Sequence, residues 1–144
     1  MGKKTVLILF SVSVVSHGAT LVDRVAIVET NNRNVTGDRG RALGVWQIHA
    51  AAWADVSASR AKRNLSIFPY SAAMDAKIAR IYASEYLLIV TQRLDKLLGR
   101  TPSYAEIYCA YNLGVEGFRR RSLLMENCPS ITRSSAARVA RLEQ

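Results

Sequence analysis

Apolar and polar residues along the chain repeat mostly with a helical period. Between Thr20 and Glu29, Leu21, Val25 and Val28 recur at spacings of four and three, which sets them along one side of a helix. Asn31, Asn32 and Asn34 then end it, and a glycine-punctuated loop runs from Asn31 to Gly44. A short helical candidate from Ala50 to Val56 contains Trp53. The longest periodic stretch extends from about Ala72 to Leu98. Its apolar side is Met74, Ile78, Ile81, Tyr82, Leu88 and Ile89, its wetter side Lys77, Arg80 and Ser84, and Gly99 is a natural terminator. Another helix is signalled up to about Tyr111: Thr101 suits its cap, Pro102 its first turn, and Ser103 with Glu106 has capping-box spacing. A last, basic helix is expected over Ser134 to Glu143. Outside the apolar N-terminal run, no segment alternates with a two-residue period. The expected fold class is therefore mainly α, a helical domain interrupted by a Gly-rich loop, with room for at most a small hairpin between Val35 and Trp46.

The N-terminal run changes the picture. Met1 to Lys4 carries two lysines, Thr5 to Val15 is apolar apart from Ser11 and Ser13, and Ser16 to Ala19 is rich in the small residues a signal peptidase accepts. The apolar core is about half the roughly 20 residues a membrane span needs, so residues 1–19 read as a signal peptide cleaved near 16–19, with a retained anchor as the weaker reading. The remainder, 20–144, is the size of one domain in a chain of 144 residues. A secreted, periplasmic or cell-envelope location follows as an expectation.

Lys and Arg number 20 against 11 Asp and Glu, a net charge of +9. The surplus is strongest in the C-terminal third, at Arg119, Arg120, Arg121, Arg133, Arg138 and Arg141. It favours an anionic wall or membrane surface, or is simply a solvated basic face. Export and the lack of aromatic-basic interleaving argue against nucleic acid. Two cysteines, Cys109 and Cys128, are too few for a cysteine-based zinc site; they form either one disulfide or two buried thiols. With only His17 and His49 as histidines, no metal and no cofactor is indicated. A monomer is expected.

Chemistry concentrates between Val28 and His49. A single carboxylate, Glu29, ends an apolar helical turn, and Gly37, Gly40 and Gly44 follow, letting backbone approach a ligand closely. Their spacing matches neither the dinucleotide nor the phosphate-loop pattern. A carboxylate at a helix end is ordinarily solvated. Here Val25, Ile27, Val28 and Trp46 can wrap it in apolar surface, which raises a carboxyl pKa towards that of a general acid. Glycosidic cleavage needs such a group, because the departing sugar oxygen must receive a proton as its bond breaks.

Three motifs stand in order: Glu29-Thr30 with Gly37-Asp38-Arg39-Gly40, then Gly44-Val45-Trp46-Gln47-Ile48, then Ala110-Tyr111-Asn112-Leu113-Gly114. Together they resemble the lysozyme-like superfamily, nearest to goose-type lysozymes and the soluble lytic transglycosylase domain, over roughly Leu21 to Phe118. The resemblance implies a lysozyme-like helical fold and cleavage of the β-1,4 bond between N-acetylmuramic acid and N-acetylglucosamine in a peptidoglycan strand. It makes Glu29 the general acid and then the base, and implies a sugar groove lined by Asp38, Trp46, Gln47, His49, Tyr111 and Asn112. Tyr111 has a competing reading as a core aromatic in line with Tyr104, Ile107 and Tyr108.

Asp38 divides two chemistries. In goose-type lysozymes an aspartate in this position and a second one just beyond the Gln-Ile pair help to place the attacking water. The second position is His49 in this chain, which tilts the reading towards lytic transglycosylation, where the sugar's own 6-hydroxyl attacks. Glu85 and Glu116 are rival carboxylates, Glu85 being more simply paired with Arg80 or Arg93. The alternatives to an enzyme are a non-catalytic wall-binding module with a degenerate lysozyme-like fold and a basic antimicrobial chain acting through charge.

Overall fold

The computed structural model describes residues 19–142. The expected signal peptide, with Lys3, Lys4 and His17, lies outside the described residues except for Ala19. The fold is mainly α with one small antiparallel sheet, as the periodicity predicts. In chain order it comprises α1 (Leu21–Thr30), β1 (Thr36–Gly37), β2 (Ala42–Leu43), β3 (Ile48–His49), α2 (Ala50–Lys62), α3 (Ala76–Leu98), α4 (Tyr104–Leu113), α5 (Val115–Arg119) and α6 (Ser130–Arg141).

Local chemistry sets the helix ends. The Asp23 carboxylate accepts from the Thr20 N–H at 3.2 Å to start α1, and Asn31 closes it in the left-handed region at φ 54°. Asp75 caps α3 by accepting from the backbone of Lys77 and Ile78 at 2.9 and 3.1 Å. At α4 the capping box is realised: the Ser103 hydroxyl accepts from the Glu106 N–H, and the Glu106 carboxylate accepts from the Ser103 N–H at 2.7 Å. Ser103, not Thr101, is thus the cap, and Pro102 lies before the helix rather than in its first turn.

α4 is the central helix. Ala105 to Tyr111 are all buried, and α1, α3, α5 and α6 surround it or each other. The buried face of α3 is Ala79, Tyr82, Ala83, Tyr86, Leu87, Val90 and Leu94, whereas Met74, Ile81 and Leu88 are exposed. The expected stripe followed side-chain bulk and missed that alanines let neighbouring helices approach. α3 also starts later than Ala72, because a 3₁₀ turn over Tyr70–Met74 precedes it. α2 runs past Val56 to Lys62, since Arg60 turns inward and pairs with Glu85. α6 begins at Ser130 rather than Ser134.

The sheet has the order β1-β2-β3, pairing Thr36 with Leu43, Gly37 with Ala42, Ala42 with His49 and Leu43 with Ile48. The hairpin allowed between Val35 and Trp46 is therefore present and gains a third strand. Cys109 and Cys128 are free, buried thiols, and Cys128 Sγ donates to the Leu124 carbonyl at 3.6 Å. Among the described residues no helix is long and apolar enough to cross a membrane, and no cluster of possible metal ligands occurs.

Candidate active site

Glu29 occupies the next-to-last position of α1, where the helix runs into the glycine-rich loop. The following residue fixes that junction: the buried Thr30 hydroxyl donates to the Val45 carbonyl at 2.8 Å, tying the end of α1 to the strand-bearing segment. Gly44 permits the close approach. Its φ is +77°, and a Cβ there would stand 2.0 Å from the Ala73 carbonyl oxygen.

A groove crosses this junction. Its central part, about 350 Å³, is lined by Glu29, Asp38, Ala42, Gln47, His49, Tyr111 and Asn112. One neighbouring part, about 260 Å³, shares Gln47, His49, Tyr111 and Asn112 and continues to Ala52, Tyr86 and Gly114. On the other side a part of about 240 Å³ shares Glu29 and Asn112 and reaches Tyr108, Ile131, Thr132 and Ser135. Glu29 thus stands where two stretches of one trough meet, with sheet residues on one side and α6 on the other.

Glu29 is partly buried, and the phenol of Tyr108 donates to its Oε1 at 2.8 Å. Burial pushes the carboxyl above the usual glutamate range, and the tyrosine's donation pulls it back in part. No cation is paired with Glu29 among the described residues. Asp38 is exposed, bonded to Arg41 at 2.8 Å and 3.7 Å from His49 Nε2.

The other expected groove residues divide by role. Gln47, at φ 49°, lines the groove while its amide nitrogen donates to the carbonyls of Val35 and Gly44 at 3.0 and 2.8 Å. A Cβ on Gly37 would lie 1.9 Å from the Gln47 oxygen, so a glycine there makes room for the glutamine. Asn112 is exposed in all three parts of the groove, its oxygen held by the Thr132 hydroxyl at 2.9 Å. Tyr111 reconciles its two readings: it is buried, its hydroxyl donates to the Trp46 carbonyl at 2.6 Å, and its edge still lines the trough. Trp46 itself does not line the groove. Its indole is buried and donates to the Val22 carbonyl at 2.8 Å, so it supports the wall from behind.

The rival carboxylates lie elsewhere. Glu85 pairs with Arg60 and Arg63 of α2 rather than with Arg80 or Arg93, which pair with Asp23 and Asp55. Glu116 pairs with Arg119 on the exposed side of α5. Sequence reasoning missed Tyr108, Thr132 and Ser135. Tyr108 stands three residues before Tyr111 on the same helix, a spacing that shares a face, but its partner lies on α1. Comparison with protein-family models, with curated proteins and with solved structures finds no match for the chain.

Proposed function

We propose that this chain is an exported, peptidoglycan-cleaving glycosidase of the lysozyme-like kind, with Glu29 as general acid and base. The observation that carries this reading is a half-buried carboxyl, raised above its ordinary pKa and without a cationic partner among the described residues, where two stretches of a groove meet. Such a group keeps its proton further towards neutral pH than a solvated glutamate does, and groove stretches on both sides of it suit an internal bond of a polymer. The three motifs of the lysozyme-like resemblance converge on this trough.

In the proposed reaction Glu29 gives its proton to the glycosidic oxygen as the C1–O bond breaks and positive charge develops at C1. The carboxylate then takes the proton of the same sugar's 6-hydroxyl as O6 bonds to C1, giving a 1,6-anhydro end and regenerating the acid. This transglycosylase course is favoured over hydrolysis because His49 occupies the place of a second aspartate and Asp38 is already engaged by Arg41. Gln47 and Asn112 offer amide atoms suited to N-acetyl groups. The basic C-terminal surface fits an anionic wall.

Mass spectrometry of digested wall material tests the reading: 1,6-anhydro fragments are expected, reducing ends would establish hydrolysis instead, and no fragments at all would overturn the enzyme. In that last event, retention of the folded chain on wall sediment would support a non-catalytic binding module, the reading that the His49 substitution also favours.

A further inference from the structure

We infer that Tyr108, braced by Ser135, is a positioning residue that commits Oε1 of Glu29 as a hydrogen-bond acceptor and leaves Oε2 as the oxygen that carries and delivers the proton. The inference rests on the proposed acid role of Glu29 and adds which atom acts and what holds it.

A protonated carboxyl can bear its proton on either oxygen, and a general acid loses efficiency when that proton points away from the leaving group. The Tyr108 hydroxyl lies 2.8 Å from Oε1. Burial and the neighbouring carboxyl push this phenol far above its usual pKa, so it remains a donor throughout the working range. Oε1 therefore receives a hydrogen bond in both states of the acid, and a proton placed on it would compete with that bond. Among the described residues Oε2 has no hydrogen-bond partner, so it is the oxygen free to hold a proton for a ligand. Ser135 of α6 lines the same part of the groove as the phenol, and its hydroxyl pulls the phenol's pKa down, as a group donating towards the phenol oxygen does. Ser135, Tyr108 and Glu29 thus stand together along one wall of the groove.

The groups facing Glu29 are few. Among the described residues lining the groove beside it, α4 presents the phenols Tyr108 and Tyr111, the sheet side presents Asp38 and His49, and α6 presents Ile131, Thr132 and Ser135, none of them charged. Tyr108 is the hydrogen-bond donor that lowers the carboxyl's pKa against the effect of burial.

The test is the pH titration of the Glu29 side-chain carboxyl carbon by ¹³C NMR in the full chain, the resonance being assigned by its loss in Glu29→Gln. In Tyr108→Phe the midpoint is expected to move upward, and the alkaline limb of the pH–rate profile moves with it, while kcat falls about tenfold with KM little changed. Ser135→Ala keeps the buried ring and is expected to move the midpoint in the same direction by less. An unmoved midpoint in folded Tyr108→Phe overturns the assignment. If that variant does not fold, an unmoved midpoint in Ser135→Ala overturns it instead. A wild-type chain that releases no glycan fragments refutes the enzyme reading separately, because the titration needs no turnover.

Discussion

Two neighbouring positions of α4 treat a carboxylate in opposite ways. At the N-terminal end Glu106 is grasped by the Arg100 fork at 2.7 and 3.0 Å and accepts from the Ser103 N–H, and its pKa falls to about 2. Further along the helix Tyr108 meets Glu29, which among the described residues has one neutral donor and no cation, and enough burial to move its pKa the other way. Burial raises both pKa values, but the Arg100 hydrogen bonds outweigh it at Glu106 and the Tyr108 bond does not at Glu29. A cation with two backbone or side-chain bonds makes a permanent anion that starts a helix, whereas a phenol leaves an acid able to give up and regain its proton.

This contrast yields opposed expectations. The largest effect is on chemistry: Glu29→Gln should lower turnover by about 10²- to 10⁴-fold, measured as fragment release from wall material. Its effect on stability follows from linkage. The folded-state pKa of Glu29 is raised, so its contribution is fully present below the unfolded pKa and is lost as pH rises through the folded one; Glu29→Gln should gain thermal stability relative to wild type on going from acid to neutral pH. Glu106→Gln should show the reverse. Its folded pKa is depressed, so the variant should be destabilised by about 1–3 kcal/mol at neutral pH, and the deficit should close as pH falls from about 4.5 towards 2. Paired melts of the two variants across that range check both signs.

Gly44→Ala should cost about 1–3 kcal/mol by forcing a side chain into a positive-φ position against the Ala73 carbonyl, and it should disturb the Glu29 end while sparing the Glu106 capping box. Urea denaturation together with amide shifts of Ser103 and Glu106 separates the two. The smallest effect is expected of Asp38→Asn. If Glu29 works with the sugar's own hydroxyl, activity should stay within about threefold of wild type; a loss as deep as that of Glu29→Gln would mean that a second carboxylate shares the work, as in an inverting hydrolase.

What was legible in the sequence was what is local. The end of α1 at Asn31, the capping box of Ser103 and Glu106 and the turn chemistry between the short strands depend on residues a few positions apart, and each signal has a specific donor and acceptor. Glu29, Asp38, Gln47 and His49 were found because the motif containing them is nearly contiguous. The Tyr108 contact joins α4 to α1 across most of the chain, and no periodicity encodes such a pairing. Arg80 and Arg93 are the expected partners of Glu85 because they are near it in sequence, whereas the fold brings up Arg60 and Arg63 from α2. Trp46 was expected in the groove as an aromatic beside Gln47, but its N–H found a backbone acceptor on α1 and drew the ring inward.

The three strands are only two residues each, while the helix opposite them is buried along seven successive positions. Such a ladder holds few amides, and the groove residues Asp38 and His49 that it carries are exposed. The ladder is pinned from outside instead, because the Tyr70 hydroxyl donates to the carbonyls of Arg41 and Ile48 at 2.9 and 2.7 Å. On the proposed function a glycan strand would lie between that tethered ladder and α4, with Glu29 held from the α4 side by Tyr108.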